Sequence, residues 1–251
     1  MQRCLMMLVL LSMSCSSGEY ERIMGPACQV SDGASGVVIQ SGKEGSLVLT
    51  CNHVVASVRR RGLDLTVESG DDEVRVGGPA EVVKLDPESD LALLRVRWRA
   101  PAVRPGQMPE PLDKVWMVGC PGGCRPLPFR GYVGSVKRKL GPHGPFIAWV
   151  GNGAFYGSSG GAILNERLEL IGIQARARGL NGHLMQGVGY AVRIDAIRRF
   201  LSDVEEVSDE WKQGEGAEAG DGGDEDQAPP EGMEEAEASV ERDAAAGAPV
   251  L

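Results

Sequence analysis

Between residues 33 and 200 apolar and polar positions alternate over short runs separated by Gly, Pro, Asn and Asp. The runs are GVVIQ (36–40), SLVLTC (46–51), LDLTVES (63–69), EVRVG (73–77), AEVVKLD (80–86), LALLRVR (91–97), KVWMVG (114–119), YVGSVKR (132–138), PFIAWVG (145–151), GAILN (161–165), LELIGIQA (168–175) and GVGYAV (187–192). A period of two over such lengths marks strands with one face buried, and the frequent turn residues favour antiparallel neighbours over a parallel sheet with crossover helices. An all-β chain of this kind packs as a pair of barrels or as a sandwich. The stretch PAVRPGQMPEPLDK (101–114) divides the strands into two sets of about six, where a connection between two sub-barrels belongs. One helix stands out, RIDAIRRFLSDV, in which Ile194, Ile197 and Leu201 share a face.

The expected organisation is a leader over 1–18, a folded domain over 24–202 and an acidic tail over 204–251. Within the domain, one barrel spans about 33–100, a second about 112–192, and a helix 193–203 closes it. Charge sharpens this division. The chain of 251 residues has a net charge of −9, yet from Asp203 onward seventeen acidic residues face only Lys212 and Arg242, so residues 1–202 carry +6. The tail has too few aromatic and branched residues to offset chain entropy by burial and is expected to be disordered. No basic cluster interleaved with aromatics points to a nucleic-acid surface.

The leader, MQRCLMMLVLLSMSCSSGEY, places one arginine before an apolar run of about ten residues and then small polar ones, the layout of an export signal. That run is shorter than the roughly twenty residues a membrane span needs. Cleavage after Ser14 leaves Cys15 first, as in a bacterial lipoprotein, although Ser12 stands where such a signal has leucine; lipid anchoring at Cys15 and plain secretion both remain open. Cys28, Cys51, Cys120 and Cys124 lie beyond the leader, an even number compatible with an oxidising compartment. CPGGC (120–124) lacks the spacing and the second cluster of a metal site, so it is either a local disulfide or a pair of ordinary thiols, and neither metal nor cofactor is expected.

AFYGSSGGAIL (154–164) presents Ser159 among glycines. A serine hydroxyl becomes a useful nucleophile only beside a base, and the base needs a third group to hold its tautomer. His143 and His183 sit in loop-like contexts. His53 lies in SLVLTCNHVV, read as a strand that ends in a polar kink and resumes with valines, where an imidazole is held without being sealed from solvent. Asp90, directly before an apolar run, must accept hydrogen bonds to offset its desolvation, and an imidazole N–H supplies one. Asp86, in a DP turn, is the weaker candidate. Gly157 and Gly160 allow torsions that aim the amides of Gly157 and Ser159 at a developing oxyanion, and Gly161 permits close backbone approach. The order His53, Asp90, Ser159 matches one of the convergent triad solutions.

TCNHVV, DLALLRV and GSSGGAIL resemble the three signature segments of chymotrypsin-fold serine endopeptidases, most closely the HtrA (Deg) branch. MVGCPGG, GYVGSV, LIGIQA and GVGYAVRIDAIRRFL extend the resemblance over about residues 33–202. It implies two six-stranded antiparallel β-barrels with a C-terminal helix, and hydrolysis of protein or peptide substrates through an acyl-enzyme. His53 would be the general base, Asp90 the orienting carboxylate, Ser159 the nucleophile, and the amides of Gly157 and Ser159 the oxyanion site. Two departures stand out. Cys51 occupies a position where the family has a small residue or Asn, and is placed to pair with Cys28 or to perturb the loop. The PDZ domain of HtrA proteins is replaced by the acidic tail, so trimeric caging is not implied. GNGAFY, ahead of the serine, holds no carboxylate to pair with a Lys or Arg side chain, which favours small or medium apolar residues at the cleaved bond. The competing expectation is a chymotrypsin-fold binding module of the cell envelope without turnover.

Overall fold

The computed structural model describes residues 18–213 except 32, 71–74, 141–142 and 181–182. After a lead-in helix α1 (18–24), the first barrel is built from β1 (Ala27–Val30), β2 (Ala34–Gly42), β3 (Gly45–Thr50), β4 (Thr66–Gly70), β5 (Arg75–Asp86) and β6 (Leu91–Val96). Its order is β1-β2-β3-β6-β5-β4, and β1 pairs back onto β4 to close it. The second barrel uses β8 (Lys114–Gly119), β9 (Leu127–Leu140), β10 (His143–Gly151), β11 (Ala162–Leu164), β12 (Glu169–Leu180) and β13 (His183–Arg193). Its order is β11-β8-β9-β10-β13-β12, closed by β11 against β12. In the connection, β7 (Arg104–Pro105) adds to β12 in parallel. Two closed six-stranded antiparallel barrels therefore make up the chymotrypsin-like fold.

Inward side chains alternate along the strands and fill each barrel. In the first, Val30, Val37, Val48, Leu49, Leu93 and Leu94 are fully buried, the neighbours Val48/Leu49 and Leu93/Leu94 on opposite faces of their strands; Val115, Met117, Val133, Ile147 and Trp149 are fully buried in the second. Helix α3 (Ile194–Leu201) follows β13 and buries Ile194, Ile197, Phe200 and Leu201. Its start is held by Asp195, whose two carboxylate oxygens accept from Arg193 at 3.0 and 2.7 Å.

Three local expectations are corrected. Residues 52–60 form helix α2 (Asn52–Arg60) in place of a resumed strand. Val54, Val55 and Val58 are buried on one helical face there, so tertiary packing overrides the strand preference of β-branched residues. The described part of EVRVG, from Arg75, and AEVVKLD belong to a single strand, β5, which pairs with β4 through its first half and β6 through its second. The chain is also ordered beyond residue 203. Helix α4 (Asp209–Lys212) docks Trp211, 1% exposed, onto the first barrel, and its indole N–H donates to Ile39 O at 3.0 Å. Val204 and Val207 are buried with it, an apolar cluster that the acidic average of the whole segment conceals. Residues 1–17 of the leader, Cys15 among them, and residues 214–251 lie outside the described residues. Among the described residues no helix is long and apolar enough to cross a membrane.

The four cysteines Cys28, Cys51, Cys120 and Cys124 are free thiols, so neither the Cys28–Cys51 nor the Cys120–Cys124 pairing is formed. Burial pushes the Cys28 and Cys51 thiols far up and the Cys120 thiol up to about 12, whereas Cys124 is exposed. Because the thiolate is the reacting form, iodoacetamide at neutral pH is expected to modify Cys124 at least ~10-fold faster than the other three. Peptide mass spectrometry over a time course measures this, and comparable rates at all four would contradict the burial.

Candidate active site

Sheet register brings the imidazole and the carboxylate together. β3 and β6 are antiparallel neighbours with Thr50 opposite Ala92, so the residues leaving β3 face those entering β6. Asn52 N–H donates to Asp90 O at 3.2 Å and His53 N–H to Asp90 Oδ1 at 2.9 Å. The N-cap residue of α2, Cys51, makes no side-chain cap bond. Asp90 supplies it from across the sheet, satisfying amides that a helix start leaves orphaned and placing a carboxylate at the positive end of the helix dipole. Its other oxygen, Oδ2, lies 2.7 Å from His53 Nδ1. A carboxylate only accepts, so the ring proton sits on Nδ1 and the lone pair on Nε2. The His53 side chain is 38% exposed and that of Asp90 11%. Asp90 adopts φ +54°, a left-handed conformation that Asp tolerates better than most residues. Asp86 shapes the turn instead, its Oδ1 accepting from Glu88 N–H at 3.0 Å and Ser89 N–H at 3.2 Å.

Ser159 comes from the second barrel, in the turn that leads into β11. Its Oγ donates to Ala175 O at 3.4 Å, and among the described residues it makes no hydrogen bond to His53. The loop is tightly held. Ser158, fully buried, donates through Oγ to Gly153 O at 2.8 Å, and its N–H donates to Phe155 O at 3.0 Å. Gly157 has φ +84°, and a Cβ there would lie 2.2 Å from Cys120 O. Gly160 has φ +89°, and a Cβ would meet Ser35 O at 2.0 Å and Thr50 Oγ1 at 2.3 Å. Both positions exclude side chains on torsion and on space. Gly160 N–H donates to Gln174 O at 2.7 Å and Gly161 N–H to Ser158 O at 2.9 Å, whereas the amides of Gly157 and Ser159 donate to no acceptor among the described residues.

His143 and His183 are the first residues of β10 and β13, opposite Leu140 of β9 and Leu180 of β12. The residues that sequence reasoning missed are the polar ones beneath the loop. Gln174, 2% exposed, accepts on its backbone carbonyl from Gly160 N–H and from the Cys51 thiol, the latter at 3.3 Å. Its side-chain Oε1 accepts from Trp149 Nε1–H at 2.6 Å. A glutamine inside the apolar run LELIGIQA was the available signal, since a buried amide must find partners.

Cys51, His53 and Asp90 present ligand-type atoms within 4.8 Å of one another. Burial, followed by the charge of Asp90, pushes the Cys51 thiol well up. This opposes the thiolate that a metal would require. Two surface depressions, one at Lys43, Arg95 and Glu206 and one at Lys114, Arg130 and Glu166, share no residue with this site.

Residues 34–173 match the trypsin-like peptidase domain family, and the chain belongs to it. No curated protein sequence matches the chain. Among solved structures it is similar to the MamO protease domain from Magnetospirillum magneticum in its apo form, at 25% identity and a TM-score of 0.60, covering 73% of this chain and 100% of that one. It is similar to a serine-to-alanine variant of the HtrA-type protease AlgW with a tripeptide at 26% identity and a TM-score of 0.60, covering 74% of this chain and 62% of that one. A further likeness, to Deg5, is at 22% identity and a TM-score of 0.59, covering 75% of this chain and 92% of that one; it concerns the fold alone.

Proposed function

We propose that the protein is a serine endopeptidase acting on protein or peptide substrates through His53, Asp90 and Ser159. The observation that carries this reading is the His53–Asp90 pair, with Nδ1 held by a carboxylate at 2.7 Å and the opposite ring nitrogen left as a base. In the reaction, Ser159 Oγ attacks the scissile carbonyl while His53 Nε2 takes its proton. The tetrahedral oxyanion is held by the amides of Gly157 and Ser159, which make no competing bond among the described residues. His53 returns the proton to the leaving amine, giving an acyl-enzyme on Ser159. Water, deprotonated by His53, then releases the carboxylic acid. Residues 151–159 contain no carboxylate, which supports apolar over cationic side chains at the cleaved position. Similarity to HtrA-type proteases and the apolar leader run support action in the cell envelope or outside the cell.

A fluorophosphonate probe tests this directly, because it phosphonylates only an activated serine. Labelling at Ser159, located by peptide mass spectrometry and abolished by prior heat denaturation, is expected. The second reading, a binding module without turnover, draws on the contact of Ser159 Oγ with Ala175 O in place of His53. A folded protein that the probe leaves unlabelled would favour it.

A further inference from the structure

Ser35, the second residue of β2, is wholly buried beneath the nucleophile loop and makes four hydrogen bonds. Its N–H donates to Ser159 O at 2.9 Å. Its Oγ donates to Gly157 O at 2.7 Å and accepts from Cys120 N–H at 2.7 Å. Its carbonyl accepts from Thr50 Oγ1 at 2.7 Å, three residues before His53. A hydroxyl has one proton to give, and here it is committed to Gly157 O, because the Cys120 amide can only donate. One residue of the first barrel thus ties the serine loop and the 120–124 turn of the second barrel to the strand end that leads to the imidazole.

Peptide planarity turns these contacts into control of the amides. The Gly157 and Ser159 N–H groups belong to the peptide planes 156–157 and 158–159. Ser35 holds the carbonyls of the two planes that follow each of these, 157–158 and 159–160. Each plane is rigid, so fixing its carbonyl limits the motion of the joint that links it to the plane before; the preceding planes are themselves restrained where Tyr156 O accepts from Gly122 N–H at 2.6 Å and Ser158 O from Gly161 N–H at 2.9 Å. Gly157, at φ +84° and with a glycine's freedom, is where such a restraint matters most. Besides Ser35, the 157–158 plane is held through Ser158 N–H on Phe155 O.

We propose that Ser35 is a positioning residue whose hydroxyl, through Gly157 O, keeps the Gly157 amide in the orientation that receives the oxyanion, while its backbone N–H steadies the Ser159 side of the loop. This rests on the peptidase reading above. Ser35→Ala leaves the buried Cys120 N–H without its acceptor and Gly157 O without its donor, and leaves the 157–158 plane held, among the described residues, by Ser158 N–H alone. Losing an oxyanion donor outright costs ~100- to 1,000-fold in turnover. Misaiming one should cost about 10- to 100-fold in kcat, with KM changed less than about twofold.

The test compares wild type with Ser35→Ala on a peptide substrate, with inhibition by a peptide boronate, whose tetrahedral adduct uses the oxyanion site, and by the carboxylate product peptide. The expected result is a fall in kcat matched by weaker boronate inhibition, with product inhibition unchanged. Unchanged kcat in a folded Ser35→Ala, or equal losses in all three measurements, overturns the proposal. If Ser35→Ala does not fold, Ser35→Cys, which retains a weak donor and acceptor in nearly the same shape, is read by the same criteria. A wild-type protein that neither hydrolyses peptides nor takes up fluorophosphonate is a separate outcome, and it removes the peptidase reading itself.

Discussion

Ser159→Ala is expected to lower peptide hydrolysis by ~10⁴- to 10⁶-fold while leaving the fold intact. Substituting alanine removes the atom that becomes acylated. The residual rate then comes only from substrate binding and from amides aimed at the oxyanion. Little structural cost should accompany the loss. Ser159 is half-buried and its hydroxyl makes a single long hydrogen bond to Ala175 O, whereas the loop is held by the backbone and by Ser158 and Ser35. Purified variant and wild type, compared by initial rates on casein and by thermal unfolding, give the answer. Wild-type rates in the variant would remove Ser159 from the mechanism, and a large drop in melting temperature would show that the hydroxyl has a structural duty not visible in its contacts.

The second large effect is expected from Asp90→Asn, at about 10⁴-fold in kcat. The amide oxygen of asparagine can still accept the His53 backbone N–H, so the start of α2 survives. Its NH₂ group, however, faces Nδ1 as a donor. The imidazole must then accept there and carry its proton on Nε2, where it cannot act as a base toward Ser159. Asp90→Ala separates the two duties, because it also removes the helix cap and is expected to cost a further ~1 kcal/mol of stability. Kinetics and denaturant melts on both variants measure this. If Asp90→Asn loses as much stability as Asp90→Ala while keeping activity, the carboxylate serves the helix and not the imidazole.

The parts of the fold that could be read from the chain are those where buried strands stand out between turns. LALLRVR and KVWMVG announce β6 and β8 as short apolar runs of strand length bounded by turn residues, and β6 is buried at all its positions but Arg95. The nearness of His53 to Asp90 was legible for a similar reason, since a carboxylate ahead of a buried strand has to find donors. α2 was not, because Val54, Val55 and Val58 suit either a strand or a helix over so short a span, and only the surface they pack against decides. Trp211 was hidden by its company, one indole and two valines in a segment dominated by acidic residues. Ser35 and Thr50 left no trace in the pattern. Their duty is to bind backbone carbonyls and amides, which every residue type offers, so neither spacing nor composition marks their partners.

Gln174 gives both reactive ends a common mooring. Its carbonyl receives the Gly160 amide, next to the serine, and the Cys51 thiol, two residues before the imidazole. A single carbonyl of the second barrel therefore bonds to the chain on both sides of the site, so the placement of Gln174 bears on the serine and the imidazole together. Of the two attachments, the sulfur contact is the weaker, so slack enters this linkage first on the imidazole's side.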